Sequence, residues 1–206
     1  MDSVAFSRSE YSNYGFILLG RIIEVASGQS YYDYVRDHIF SPAGMSATGN
    51  LPEQEQVHNL ATGYTTGGPR SSPGASPSEA APGRSGSLRS TEGSLPYRGT
   101  SAGGLYSTLG DLLKFVMALT SNKLLDARYT ELLTTGKVVT PRRAIKYAFG
   151  FKEETTPENI RFFGHGGGGP GVNGRLSIFR ASGYANLDPP AAAAIAQFIE
   201  QRLQVK

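Results

Sequence analysis

The sequence predicts an α/β (α+β) fold in which an antiparallel sheet packs against helices. Two segments with helical spacing of apolar residues follow the N-terminus, strand-like segments separated by turn residues follow Pro141, and an apolar stripe after Pro189 predicts a closing helix. The chain has 206 residues, of which 39% are hydrophobic and 18% charged. A chain of this length typically buries about 70% of its unfolded surface. We therefore expect one domain over residues 1–206.

Four helices are predicted from the first two thirds of the chain. Residues 14–26 carry apolar side chains at 16, 19, 22, 23 and 26, and Gly28 predicts the end of this helix. Ser30 with Asp33 resembles a capping box and predicts a second helix over residues 31–40, which ends before Pro42 and Gly44. A third helix is predicted from near Thr108, and a fourth over residues 127–133.

A long surface loop is predicted between the second and third helices. From residue 65 to residue 99, 20 of 35 residues are Gly, Pro or Ser. Such a segment has too few apolar side chains to offset the entropy lost on ordering. We expect it to be an excursion within one domain rather than a domain linker.

The last third of the chain predicts successive antiparallel strands. The strand-like pieces are residues 146–154, 159–166 and 174–181, separated by turn-forming residues and by the glycine run that follows His165. Ile195, Phe198 and Leu203 lie on one stripe of the closing helix.

Composition excludes several classes of function. The absence of cysteine excludes a disulfide framework, a thiolate zinc site and a cysteine nucleophile. The histidines are His38, His58 and His165, too far apart for a helical ligand pair, so neither a metal nor another cofactor is expected. The net charge is only +3 with scattered bases, which favours solvated loops over a nucleic-acid surface.

The sequence also bears on membranes and on compartment. No apolar run approaches the roughly 18 residues of a membrane span, and the first ten residues lack the basic and apolar regions of a signal peptide. The compartment is left open by these observations.

One pattern points to an α/β-hydrolase. Gly99-Thr-Ser101-Ala-Gly103 matches the Gly-x-Ser-x-Gly nucleophile elbow, and residues 165–168 match a glycine-rich oxyanion motif. An elbow requires an apolar strand directly before the serine, whereas residues 90–98 read STEGSLPYR. Ser101 as nucleophile is therefore kept as a third alternative.

Two other patterns place polar groups where a ligand could reach them. Tyr11-Ser-Asn13 directly precedes a strongly apolar helix, which can project a phenol and an amide into a cleft. Tyr184-Ala-Asn186 has the same spacing, but a structural role at a strand end is expected there. His165 enters a run of glycines, where a ligand can approach the backbone and exposed N–H groups can receive a carbonyl oxygen.

Three strings, in this order, resemble the serine β-lactamase-related hydrolases, a family that includes penicillin-binding-protein-like enzymes, class C β-lactamases and esterases. The strings are YSNYGFILLGRIIEVASGQSYYDYV, GTSAGGLYSTLGDLLKF and FFGHGGGGPGVNG. The resemblance implies a β-lactamase-like fold, with an antiparallel sheet flanked by helices and a mostly helical subdomain. It also implies that a serine attacks an ester, amide or β-lactam carbonyl and forms an acyl-enzyme. Relatives usually carry several more apolar residues between the Gly-Tyr and Asn-Leu of residues 183–188, so the resemblance puts the length of this strand and the integrity of the sheet there in question.

The resemblance assigns roles to residues of this chain. Tyr11 would accept and donate the proton, and Asn13 would orient the substrate or a lysine. His165, Gly166 and Gly167 match the third motif of the family, with His165 hydrogen-bonding near the tyrosine or the substrate. The N–H of Gly168 would be one donor to the oxyanion.

The family's first motif, Ser-x-x-Lys, is missing from the chain. The residue three positions before each lysine is Asp111, Thr120, Thr134, Arg143, Phe149 or Leu203. We expect an incomplete, C-terminal part of a serine hydrolase that is inactive alone. The alternative is a non-catalytic binding or structural protein that keeps the cleft, and the choice among ester, amide and β-lactam substrates is open.

Overall fold

The computed structural model describes residues 11–50, 57–66, 88–91, 99–139, 146–169, 171–180 and 184–188. Within these ranges the predicted combination of helices with an antiparallel sheet is confirmed. The helices are α1 (Asn13–Ser27), α2 (Tyr31–Val35), α3 (Ser41–Ala43), α4 (Leu109–Thr120) and α5 (Ala127–Thr134). Two short strands, β1 (Tyr64–Thr65) and β2 (Arg89–Ser90), form a separate pair. The main sheet contains β3 (Val138–Val139), β4 (Lys146–Tyr147), β5 (Lys152–Thr155), β6 (Arg161–Gly169), β7 (Val172–Phe179) and β8 (Tyr184–Asp188).

The helix boundaries follow from capping residues. The Ser30 hydroxyl accepts a hydrogen bond from the N–H of Asp33, and the hydroxyl of Thr108 accepts one from the N–H of Asp111. Gly28 ends α1 in the left-handed conformation with φ of 72°, which a residue without Cβ adopts at little cost. These ends agree with the sequence to within two residues.

The expected end of the second helix before Pro42 is wrong. A π-helical turn over Arg36–Phe40 follows α2, and the chain stays helical through Ala43. Pro42 lies inside this helical stretch, one residue before its last residue, so its missing N–H interrupts the hydrogen bonding only at the end of the helix. Gly44, the second stop signal in the sequence, follows the last helical residue with φ of 77°.

The main sheet is an antiparallel meander with its strands in sequence order. The piece over residues 146–154, expected to be one strand, is two, because Ala148 and Phe151 close a turn between β4 and β5. The glycine run, expected to be a turn, continues β6 as far as Gly169. The strand questioned at residues 183–188 is intact, since all five residues of β8 pair with β7.

The core contains two apolar clusters on either side of α4. Val116 and Leu119 pack against Phe163 of β6 and Ile178 of β7, and all four are buried. Ala118 packs with the α2–α3 region, in a cluster that also contains Val35, Phe40, Ala43 and Met45. Helix α4 therefore covers the face of the sheet that carries Phe163.

Much of the apolar surface of α1 and α4 is exposed. Only Gly20 of α1 is buried. The exposed apolar side chains of the two helices are Tyr14, Ile17, Leu18, Leu19, Ile22 and Val25 of α1, with Leu109, Leu113 and Met117 of α4. Patches of this kind usually mark surfaces that contact other polypeptide.

The predicted loop over residues 65–99 lies mostly outside the described residues, as does the predicted closing helix after Pro189. At the ends of the loop, Thr65 pairs with Arg89 and Tyr64 with Ser90. In the described ranges, no helix has the length and apolar character needed to cross a bilayer.

Candidate active site

Three aromatic side chains meet at one end of the main sheet. The ring centroids of Tyr11 and His165 are 6.3 Å apart, so two residues predicted from separate motifs lie together. Tyr147 is the third member, 6.2 Å from Tyr11 and 6.1 Å from His165. The sequence did not single out Tyr147, and its only signal was an aromatic residue at the start of a strand-like segment.

Each ring is placed by a different element. Tyr11 directly precedes Ser12, whose hydroxyl caps α1 by accepting a hydrogen bond from Gly15. Tyr147 ends β4, and His165 stands in β6 two residues after buried Phe163. Because alternate residues of a strand share a face, His165 continues the face that α4 covers at Phe163. The core thus fixes the strand that carries the histidine.

A hydrogen bond joins two of the rings. The Tyr147 hydroxyl lies 3.1 Å from Nε2 of His165. Burial lowers the pKa of His165 below its usual 6.5, and the positive charge of Lys152 lowers it further, against a hydrogen bond with the backbone of Gly166 that raises it. Burial, with repulsion from Tyr11, raises the pKa of Tyr147 to about 12. At neutral pH the histidine is therefore uncharged and Tyr147 keeps its proton.

The expected position of His165 near Tyr11 agrees with the 6.3 Å between their ring centroids, and the hydrogen-bond partner of its Nε2 in the described residues is Tyr147. Its predicted hydrogen bond near the tyrosine or the substrate stays a prediction. Tyr11 is 56% exposed, so part of this residue faces solvent.

The glycine part of β6 has an unpaired edge. Strand β7 pairs with residues 163–169 of β6, but β5 pairs only with residues 161–164. Within the described ranges, no strand covers the other side of residues 165–169, where alternate N–H and C=O groups point away from the sheet. We call residues 165–169 the overhang of β6. It contains Gly166, Gly167 and Gly168, the predicted oxyanion and substrate-binding residues.

Open space lies above the same face as His165. A Cβ atom built on Gly167 or on Gly174, its partner in β7, would meet no atom within 4 Å. Gly164 differs, because a Cβ there would overlap the carbonyl oxygen of Leu176. Packing requires the glycine at 164, whereas the glycine at 167 keeps the surface open.

A shallow depression of about 650 Å³ adjoins this edge. Its walls are the glycines of β6 and the start of β7, and Lys152, Arg175 and Tyr64 also line it. Of its two basic residues, Arg175 forms an ion pair with Glu154 at 3.4 Å.

Two other predicted residues have different surroundings. Asn13 is the first residue of α1 and is exposed, and among the described residues its side chain makes no hydrogen bond. Asn186 belongs to β8, opposite Ser177, in agreement with the structural role expected for it.

The α/β-hydrolase alternative is wrong. The described sheet is entirely antiparallel, and Ser101 stands in a turn closed by the Gly103 N–H and the Thr100 carbonyl, with no strand ending at it. The Ser101 side chain packs directly on Gly20 of α1.

In the described part of the chain, no three His, Cys, Asp or Glu side chains are grouped so that they could hold a metal ion.

Comparisons with known proteins agree with this geometry. Residues 4–195 match the family model described as Beta-lactamase. Penicillin-binding protein 4* of Bacillus subtilis (strain 168) is 32% identical over 167 residues, which are 79% of this chain and 35% of that protein.

Two solved structures are similar over most of the chain. A penicillin binding protein from Bacillus halodurans is 28% identical, with a TM-score of 0.73 over 86% of this chain and 50% of that one. The D-amino acid amidase from Ochrobactrum anthropi SV3 complexed with L-phenylalanine is 25% identical, with a TM-score of 0.65 over the same shares.

The chain spans about half the length of these solved relatives and about a third of the curated one. The family match nevertheless covers nearly all of this chain, and the antiparallel sheet and the motif strings agree with it. The resemblance in the sequence is thus confirmed, and the chain belongs to the beta-lactamase family.

Proposed function

We propose that this chain supplies the tyrosine, the histidine and the glycine strand of a serine hydrolase that cleaves an ester or amide carbonyl through an acyl-enzyme. The observation that carries the proposal is the meeting of Tyr11, Tyr147 and His165 beside the unpaired edge of β6. The attacking serine and its lysine come from polypeptide outside the 206 residues, because no lysine of the chain has a serine three residues before it.

Tyr11 is the proposed proton carrier. Tyr11 is exposed, its ring lies near those of Tyr147 and His165, and a phenol acts as a base when a cation lowers its pKa. A lysine from the Ser-x-x-Lys segment would be that cation. Tyr11 would take the serine proton during attack and return it to the leaving group.

The overhanging edge of β6 is the proposed site for the carbonyl oxygen. Backbone N–H groups there have no strand partner in the described residues, and they are fixed by the pairing of residues 163–169 with β7. Preorganised donors of this kind stabilise the developing oxyanion, and loss of one typically costs about 100- to 1000-fold in rate. The N–H of Gly168 is the proposed donor.

The substrate is proposed to be a small ester or amide, including β-lactams. One relative is described as an amidase acting on D-amino acids and others as penicillin-binding proteins, which motivates testing both kinds of amide. Asn13, exposed at the start of α1, would orient the substrate.

The test is reconstitution of a reactive serine. The 206-residue chain is mixed with, or fused to, the polypeptide encoded directly before it, and a fluorophosphonate probe is added. We expect no labelling of the chain alone and stoichiometric labelling of the serine of Ser-x-x-Lys in the combination. Hydrolysis of p-nitrophenyl butyrate, a D-phenylalanine anilide and a chromogenic cephalosporin then identifies the substrate class.

A pair of tyrosine variants tests the role of Tyr11. Tyr11→Phe should lower the labelling rate by about 100-fold or more, in the range of general acid–base effects. Tyr14→Phe, an exposed tyrosine three residues later on α1, should label at the wild-type rate. An upstream segment without Ser-x-x-Lys, or a folded combination that never labels, would instead favour a non-catalytic binding protein.

A further inference from the structure

We propose that Tyr147 is a positioning residue, which holds the imidazole of His165 with its proton on Nδ1 and with Nε2 accepting from the Tyr147 hydroxyl. The assignment deepens the proposed function and rests on it for its catalytic meaning, but the geometry of the pair stands independently.

The contact itself defines which atoms are engaged. The Tyr147 oxygen lies 3.1 Å from Nε2, a normal hydrogen-bond distance. The two rings meet edge to face, with an interplanar angle of 87° and centroids 6.1 Å apart. This arrangement fixes the ring of His165 as well as one of its nitrogens.

The direction of the hydrogen bond follows from the protonation states. A phenol held near pKa 12 is an O–H donor throughout the physiological range. A buried histidine beside a lysine is neutral, so one of its nitrogens is an acceptor. Since Nε2 faces the phenol, the proton of the ring belongs on Nδ1, where it can meet the backbone of Gly166.

In the part of the chain that the structure describes, no carboxylate forms a hydrogen bond or an ion pair with His165. The groups that face it in the described residues are Tyr11 from the segment before α1, Tyr147 from β4 and Lys152 from β5. Its register partner on β7 is Leu176, which does not titrate. Each of these neighbours is compatible with a neutral ring.

The hydrogen bond to His165 determines how the Tyr147 oxygen can interact with a third group. A phenol oxygen has one proton and two lone pairs, so once the proton is donated to His165 the Tyr147 oxygen can only accept. The Tyr11 ring lies 6.2 Å from the Tyr147 ring, edge to face. Tyr147 can therefore accept a hydrogen bond from a neighbouring hydroxyl while it holds His165.

The test is nitrogen-detected NMR of the 206-residue chain labelled at histidine. Three histidine signals are expected, and His165→Gln identifies the one that belongs to position 165. At pH 8 the wild-type signal should show a protonated Nδ1 and an unprotonated Nε2. An unprotonated Nδ1 would overturn the proposal without any need for a variant.

Tyr147→Phe removes only the hydroxyl and keeps the ring. The Nδ1–H to Nε2–H tautomer ratio should fall by about 2- to 10-fold, the range that one hydrogen bond supports. Tyr129→Phe, on exposed α5, is the matched control and should leave the ratio unchanged. The unchanged signals of His38 and His58 show that each variant is folded. An unaltered ratio in Tyr147→Phe would refute the role assigned to its hydroxyl.

The tautomer is measured without substrate, so this result does not depend on catalysis. A wild-type Nδ1–H tautomer in a protein that never acylates would uphold Tyr147 as a positioning residue and refute only the hydrolase function. An active, reconstituted hydrolase in which His165 carries its proton on Nε2 would uphold the hydrolase function and refute Tyr147 as a positioning residue.

Discussion

Replacing Glu153 by glutamine tests how strongly the start of β6 is held. The Glu153 side chain is only 13% exposed, and its carboxylate lies 3.0 Å from Nη2 of Arg161 and 4.0 Å from Nζ of Lys146. It also accepts the N–H of Gly136 at 2.9 Å. One carboxylate therefore connects β5 to β6, to β4 and to the segment after α5.

The expected loss follows from which contacts survive. Glutamine keeps one oxygen for Gly136, but it removes the charged partner of Arg161. That arginine is 40% exposed and has Glu131 at 3.7 Å as a second partner, so it is not left buried and alone. We expect unfolding free energy to fall by about 1.5–3 kcal/mol at pH 7, as for hydrogen bonds to charged groups.

The pH dependence of the unfolding free energy provides a second, independent test of the Glu153 contacts. Burial raises the pKa of Glu153, but the Gly136 N–H and the charge of Arg161 outweigh it, so that the pKa lies below the usual 4.5. The stabilisation is thus fully present above pH 4.5 and is lost as the pH falls through the folded-state pKa. The difference between wild type and Glu153→Gln should shrink accordingly below pH 4.

Urea unfolding at pH 7 and at pH 3.5 measures both effects. The control is Glu154→Gln, the adjacent residue on the opposite face of β5, whose partner Arg175 lies at 3.4 Å and is 43% exposed. An exposed pair of this kind is worth at most about 1 kcal/mol. Equal losses for the two variants, or a Glu153→Gln loss that does not change with pH, would refute this reasoning.

Three further predictions concern the site and the loop. In a reconstituted enzyme, the acidic limb of the pH–rate profile should lie below pH 6.5, because the pKa of His165 is lowered, and His165→Gln should abolish it. Gly167→Val should leave the melting temperature within a few degrees of wild type, because the new side chain would enter open space, but it should block acylation. Equal acylation rates for Gly167→Val and the control Gly110→Ala would contradict this prediction. Trypsin should cut within residues 66–88 before it cuts after Arg89, which pairs with Thr65, and peptide mapping by mass spectrometry reads the order.

Local signals in the sequence were sufficient to predict where most of the described helices begin and end. Ser30, Thr108 and Gly28 act on residues within one turn, so their effect is visible in a short window of sequence. Pro42 was a misleading stop signal because the helix continues through it to Ala43, and the π turn before it left no local signal in the sequence.

The site was only partly predictable for a related reason. Tyr11 and His165 belong to recognisable strings, whereas Tyr147 is defined by a contact across 18 residues that depends on the β4–β5 turn. The register of β5 against β6 decides which glycines remain unpaired, and register is a property of the folded sheet.

The overhang of β6 also bears on how the protein avoids self-association. An unpaired strand edge is a template for pairing with a second molecule, and a site that binds through such an edge has to leave it uncovered. The segment from Gly166 to Gly169 has no side chains to pack against an added strand, and glycine gains little from being fixed in a sheet. A second copy would therefore find few contacts to stabilise pairing, whereas a small carbonyl compound needs only one or two N–H groups. The same glycines that open the edge to a ligand make it a poor seed for aggregation.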